Sequence, residues 1–450
     1  MASGVPPRAT RSDLERLVAT RGEAPRELQR RIVDRPPSQA EIRAWWTSTP
    51  EEERRRLESD ATLVVGNLDG LPWGARVRAN HVSLGRILDG VEEAPFRELG
   101  ARSSHLSAAD ARAARLRERL GLLQAGAGFF ERGPLPRFLL AFDPERSAIA
   151  EYLGPAIAEH DDPHRSPLAE GVRALGIFVP GNDSDLLHFE GKGHTMSEPV
   201  ILANQTAGRD VAGMIAWQGG PFPRGLGALR AEPAAALAAR LARFANGIVR
   251  EDGVPVTAFG FSYGGAVVGL ALRRGMRVDR VVHLASAGLG HGIRSLAHLP
   301  EAARVPHFAM LAPGDATVGP IQGLEARLPW LGRIGHGGSP VRARGVTRLE
   351  TGWLDDPGPL ASPASQGAAA RRGTPTSERP LTGHMPMLER WGTTAKRGMS
   401  AVLAGGAAEA AAPRGPLDRL AERLGLPRTP IRRPGYVRRE LRIDGPLAED

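Results

Sequence analysis

The sequence predicts an α/β fold: a mostly parallel eight-stranded sheet with helices on both faces, preceded by a helical N-terminal region. Three observations predict it. From residue 137 onward, apolar β-prone runs alternate with helix-forming runs, the pattern of a parallel sheet whose crossovers are helices. A glycine-bounded turn, Gly260-Phe261-Ser262-Tyr263-Gly264, stands between one such strand and one such helix. Residues 12 to about 60 are rich in Leu, Arg and Glu at helical spacing, and residues 76 to 123 resume helical patterning.

Composition narrows the class. A chain of 450 residues can bury a large core, and its 41% hydrophobic and 24% charged content is that of an ordinary globular protein. The 55 Gly and 38 Pro predict long loops on that core. Acidic and basic residues alternate, as in Glu51-Glu52-Glu53 before Arg54-Arg55-Arg56, which sets opposite charges i,i+4 on a solvated helix face. The formal charge of +9 is modest, and only the last forty residues approach a basic surface, so no nucleic-acid partner is expected. All basic residues but Lys192 and Lys396 are Arg, which fits a GC-rich coding bias. With no cysteine, disulfides, thiolate catalysis and Cys-based metal sites are excluded. No apolar stretch reaches the ~20 residues of a membrane span, and Met1–Arg11 has no apolar core of a secretory signal, so a cytoplasmic protein is expected.

The elements follow in order. Residues 1–125 read as a helical region, broken by Pro36-Pro37; Ser38 and Glu41 form a capping box for the next helix, and Thr49-Pro50 starts another. Turn residues Gly66 to Trp73 interrupt the helices. Strand-like runs lie at 137–142, 148–152, 175–179, 211–217, 254–261, 278–284, 307–312 and 346–350. Residues 126–404 hold this sheet, with helices expected at 233–248, 266–273 and 387–403 and an irregular loop at 355–380. Residues 405–450 read as a linker and a basic tail, with a short helix at 417–424 and a strand at 436–443.

The turn at 260–264 matches Gly-x-Ser-x-Gly, a nucleophile elbow, in the strand–turn–helix setting that chemistry requires. Gly260 and Gly264 remove side chains where helix and strand would collide. A serine hydroxyl needs a base within hydrogen-bond reach and a group that orients the base, and in this architecture the chain order is Ser, acid, His. Asp315 follows the seventh run in Ala312-Pro313-Gly314-Asp315, and His384 lies in Gly383-His384-Met385-Pro386 before the last helix. Asp355 and Asp356 are replacement acids; His307, His188 and His194 are competing histidines at less suitable chain positions. For a developing oxyanion, the backbone N–H of Tyr263 is one donor, and Asn182 N–H, with Gly181 as the near alternative, is the second. Each has a plainer reading: a turn serine, a Pro-Gly-Asp turn, a loop histidine.

The order of motifs resembles an uncharacterised α/β-hydrolase family of GC-rich bacteria. The resemblance rests on Gly66-Asn67-Leu68-Asp69-Gly70-Leu71-Pro72 with Arg76–Asn80, Phe138–Pro144, Val179-Pro180-Gly181, Trp217 with the Gly-Gly-Pro after it, Phe261–Gly264 and Ala287–Gly290. It covers about residues 40–405 and implies an α/β-hydrolase fold with a serine hydrolase activity, but no substrate. Met385-Pro386 after His384, and Asn182 in place of a small hydroxyl residue, depart from the family pattern. Trp45-Trp46 echoes a segment of small proteins exported without a cleaved leader, which leaves that route open.

The expectation is therefore a serine hydrolase acting on a small-molecule ester, lipid-like substrates included, through Ser262, His384 and Asp315, with no cofactor or metal. Acyl transfer to another alcohol uses the same residues. The rival of a different class is a non-catalytic binding or effector protein on the same fold.

Overall fold

A computed structural model describes residues 8–88, 137–154, 156–186, 189, 212–250, 253–322, 325, 334–354, 379–380, 382–385, 393–411, 420 and 439–444. The chain opens with six helices: α1 (Arg11–Ala19), α2 (Arg26–Asp34), α3 (Gln39–Ser48), α4 (Glu51–Asp60), α5 (Thr62–Asn67) and α6 (Trp73–Leu88). The Ser38 capping box forms: Ser38 Oγ accepts from Glu41 N, and Glu41 Oε2 accepts from Ser38 N at 2.8 Å. Gly66 and Asn67 belong to the last turn of α5, so the break between helices is shorter than the sequence suggests. Leu14, Leu17, Ile32, Ile42, Trp46 and Leu57 are among the residues that give these helices a core of their own. Trp45 and Trp46 are buried in it, edge-on at 5.8 Å.

All eight strand-like runs enter one sheet: β1 (Arg137–Asp143), β2 (Ala148–Leu153), β3 (Ala174–Val179), β4 (Ala212–Gly219), β5 (Val256–Phe261), β6 (Arg280–Leu284), β7 (His307–Met310) and β8 (Val346–Arg348). Their spatial order is β1-β2-β4-β3-β5-β6-β7-β8. β1–β2 and β2–β4 are antiparallel and every later pairing is parallel. Successive residues alternate between two cores, as the pleat demands. Ile177, Ala258 and Val281 face α7 (Glu232–Gly247) and α8 (Tyr263–Arg273). Phe178, Phe259 and Val282 face α9 (Thr394–Ala404). Burial on both faces explains why these runs are continuously apolar.

The segment Gly66–Asn80 docks the helices onto the sheet. Asn67 pairs with the backbone of Phe142 in both directions, Nδ2 to its carbonyl at 3.0 Å and Oδ1 from its N–H at 2.9 Å. Asn80 Nδ2 donates to Gly66 O at 3.0 Å and Leu139 O at 2.9 Å. Asp69 stands 3.5 Å from Arg76 and 3.6 Å from Arg243 of α7, and Arg76 lies over the Phe244 ring. Trp73 and Val77 join the core on the α7 side, while Leu84 and Ile87 join the core on the α9 side, so α6 passes across the outer edge of β1. Arg30 adds ion pairs to Asp143 and Glu145.

The C-terminal region differs from expectation. Gly406–Glu409, read as linker, forms a strand (β11) antiparallel to Glu440–Ile443 (β12). Its Gly and Ala residues carry no β signal; the pairing is set by β12 and by the burial of Ala408 and Ile443 in the α9-side core. An Ala410 bridge to Leu349 places this strand pair beside the end of β8. A short strand at the end of the expected 355–380 loop, β10 (Arg379–Pro380), pairs antiparallel with β9 (Trp353–Leu354) just before it. The replacement acids Asp355 and Asp356, the competitors His188 and His194, and most of the basic tail lie outside the described residues.

Candidate active site

Ser262 sits between the last residue of β5 and the first of α8. Its backbone angles, φ 52° and ψ −118°, are a combination that L-residues with a side chain avoid. Three hydrogen bonds hold it there: Ser262 N to Leu284 O at 2.9 Å, and the amides of Gly265 and Ala287 to Ser262 O at 3.2 and 2.9 Å. The neighbouring chain leaves no room for side chains. A Cβ on Gly264 would stand 2.3 Å from Val179 O and 2.4 Å from Pro180 O, and one on Gly260 would stand 2.6 Å from Gly265 Cα. The sharp turn and the close seating of α8 against the end of β3 thus have the same origin.

Asp315 follows β7 in a buried turn. Its Oδ1 accepts from the amides of Thr317 at 3.0 Å and Val318 at 3.1 Å, an arrangement short polar side chains favour locally. Oδ2 is left for His384 Nδ1, at 2.7 Å. His384 is carried on a turn whose Gly383 N donates to Pro313 O at 3.1 Å, so the acid and histidine loops are tied by backbone as well. The imidazole packs on Phe261, ring centroids 5.0 Å apart, one residue before the serine. The structure therefore brings Asp315 and His384 into contact and sets His384 beside the serine turn. Among the described residues, no hydrogen bond joins Ser262 Oγ to His384. His307 lies inside β7 and bonds His283 at 3.1 Å, away from the serine.

The loop after β3 passes close over the serine: a Cβ on Gly181 would lie 3.0 Å from Ser262 Cβ. The amides of Gly181 and Asn182 have no acceptor among the described residues, and the Tyr263 amide, first in α8, has no intrahelical one. The Asn182 side chain turns to Asp183. Leu186, Phe189, Phe261 and Val318 belong to the α9-side core, with Met385 packed against it, and of these Phe261 meets the His384 ring. Ser262 itself is only 3% exposed.

A family model described as alpha/beta hydrolase matches residues 169–322, the stretch from β3 to just beyond Asp315. The chain has an α/β-hydrolase fold. Two uncharacterised Mycobacterium tuberculosis proteins, from different strains, are each 32% identical to it over 287 residues, covering 57% of this chain and 40% of theirs. The chain thus spans about two fifths of the length of the curated relatives it matches. Among solved structures, a Thermus thermophilus protein is 18% identical, with a TM-score of 0.27 over 45% of this chain and 86% of that one. A 2,6-dihydroxy-pseudo-oxynicotine hydrolase is 12% identical with a TM-score of 0.26, covering 75% of this chain and 87% of its own. Likenesses this weak carry no argument.

Several parts of this candidate site had no separate sequence signal. The Thr317 and Val318 amides that hold Asp315, and the Phe261 ring under His384, follow from the backbone path. A shallow depression between the Gly70–Gly74 turn and residues 158–167 contains none of the site residues. Among the described residues, no three His, Asp or Glu side chains converge to hold a metal ion, and no helix is long and apolar enough to cross a membrane.

Proposed function

We propose that this chain is a serine hydrolase that cleaves a carboxylic ester of a small apolar acid through an acyl-enzyme. The observation that carries the proposal is the backbone of Ser262: a buried serine held at φ 52° and ψ −118° at the strand–helix turn, with an Asp–His pair beside it. Asp315 Oδ2 accepts the Nδ1 proton of His384, which leaves Nε2 as the free base. Ser262 Oγ attacks the ester carbonyl carbon while its proton passes to Nε2. The resulting oxyanion takes hydrogen bonds from the Tyr263 amide and from an amide of the Gly181-Asn182 pair. The imidazolium then gives its proton to the departing alkoxide, and the same steps with water as the nucleophile release the acid.

The hydrogen bond from Ser262 Oγ to His384 forms with substrate in place, since such contacts are often loose in the free enzyme. The Phe261 ring against His384, with Met385 packed against the same core, favours an apolar acyl group over a charged one. The test is labelling with a fluorophosphonate, with the adduct located by peptide mass. Wild type is expected to label at Ser262, and Ser262→Ala to lose both labelling and turnover of short acyl esters, a loss of ~10⁶ in kcat. Labelling that persists in Ser262→Ala places the nucleophile elsewhere.

A further inference from the structure

The residue after the serine has a side chain that the chemistry above does not use. Tyr263 is 2% exposed, and its phenol donates to Arg230 O at 3.0 Å. Its ring meets Phe222 edge-on at 6.1 Å and His336 edge-on at 5.0 Å. His336 is buried as well, and its Nε2 donates to Ala228 O at 2.6 Å; a carbonyl only accepts, so the proton is on Nε2. Between these two contacts, Gly335 N donates to Leu229 O at 2.9 Å. Three consecutive carbonyls, of Ala228, Leu229 and Arg230, are thus taken by donors from the serine turn and from the 335–336 segment.

That segment is itself fixed. Gly337 N donates to Glu325 at 2.9 Å, and His336 O accepts from Gly290 N at 2.8 Å. The other end of the clamped stretch reaches the oxyanion loop. Asp183 N donates to Pro223 O at 3.0 Å, Phe222 N donates to Ser184 O at 2.9 Å, and Arg224 pairs with Asp185. Asp183 is held at φ 62°, one residue after the Gly181-Asn182 amides. The stretch 222–230 is therefore a strut: one end rests on Tyr263 and His336, the other on the loop that passes over Ser262.

We propose that the Tyr263 phenol and His336 Nε2 are positioning groups for the reaction, which fix the Gly181-Asn182 amides over Ser262 through the 222–230 strut. The proposal rests on the serine hydrolase reading. It makes the two oxyanion donors interdependent: the residue that supplies one amide sets the place of the other with its side chain. A displacement of about 1 Å at such a donor costs on the order of 10²-fold in rate.

The experiment compares wild type with Tyr263→Phe, which keeps the ring and the backbone amide and removes only the bond to Arg230 O. Fluorophosphonate labelling rate, kcat and KM for a short acyl ester, and hydrogen exchange of the 181–186 and 222–230 peptides are measured on each. The expected result is a kcat and a labelling rate lower by ~10- to 100-fold, a KM within about threefold, and faster exchange confined to those two peptides. His336→Leu is expected to do the same, and His336→Gln, whose amide nitrogen can still donate to Ala228 O, to recover most of the rate. Wild-type labelling with an unimpaired Tyr263→Phe overturns the proposal and leaves the hydrolase reading standing. A slow Tyr263→Phe with unchanged exchange at 181–186 also overturns it, because the effect then bypasses the strut. A wild type that neither labels nor turns over ester removes the hydrolase reading and this proposal with it.

Discussion

Asp315 and His384, 69 residues apart, meet through a single hydrogen bond of 2.7 Å, while the second carboxylate oxygen of Asp315 is committed to two backbone amides. The carboxylate cannot rotate without giving up the Thr317 and Val318 amides. It presents one oxygen, in one direction, to one ring nitrogen.

Asp315→Asn tests that geometry. The amide oxygen can keep the turn bonds, so the fold persists and the thermal midpoint moves by a few degrees at most. The amide nitrogen would then face Nδ1 and favour the tautomer with its proton on Nε2, the wrong one for a base. A loss of ~10⁴ in kcat is expected with little change in KM. Steady-state kinetics on a short acyl ester check it, and activity within tenfold of wild type would move the acid to another residue.

Gly264→Ala should be among the most damaging single changes at the turn. The added carbon would stand 2.3 Å from Val179 O, and backbone on both sides would have to move. A destabilisation of about 2–3 kcal/mol and loss of labelling are expected. Gly227→Ala is the control, because its Cβ would meet only Pro223 at 3.8 Å. Equal denaturation midpoints for the two variants would contradict the close seating of α8.

Asn80→Ala removes the donor to both Gly66 O and Leu139 O at a fully buried position. Leaving buried carbonyls unpaired costs about 1–3 kcal/mol each, so a loss of at least ~1 kcal/mol in a urea titration is expected. Deleting residues 1–125 removes this contact, the Asn67–Phe142 pairing and the Trp73 side chain together, and should leave a remainder that does not unfold cooperatively. A soluble, cooperative and equally active truncation would make the helices an independent module.

Stability should fall on mild acidification. His283 and His307 lie on adjacent strands, buried and stacked, and burial holds both imidazoles below the ordinary histidine range. The same holds for His336. The unfolded chain takes up protons near pH 6.5 that the native state refuses. The stabilisation is therefore complete above that pH and declines below it, by up to about 1.4 kcal/mol per pH unit for each histidine. Thermal midpoints at pH 7.5 and 5.5 should differ, and His283→Leu should narrow the gap. An unchanged gap in that variant would assign the acid sensitivity to other groups.

Much of this was legible in the sequence, for physical reasons that can be named. Strands β2 to β7 announced themselves because burial on both faces forces continuous apolar runs, whereas β8, Val-Thr-Arg and partly exposed, carried a weaker signal. Ser262, Asp315 and His384 could be placed in chain order because a parallel sheet puts the ends of its strands on one edge. What escaped was set by tertiary contact. β11 has no β-branched residue and exists because β12 pairs with it. The Gly66–Asn80 motif read as turn chemistry, yet Asn67, Asp69, Arg76 and Asn80 are all occupied in docking. The elbow pattern points to the Tyr263 amide alone, and the reach of its phenol to Arg230 depends on a loop path that no local pattern encodes.

The passage of α6 across β1 closes one border of the sheet. Among the described residues β1 is the last strand on its side of the sheet, and outward backbone groups of such a strand are a template for another strand to add to. Asn67 and Asn80 fill that role with side-chain amides at Phe142 and Leu139, imitating a neighbouring strand that cannot itself be extended. The N-terminal helices thereby cover a border of the sheet whose open backbone groups, left bare, are the kind that invite another strand to pair.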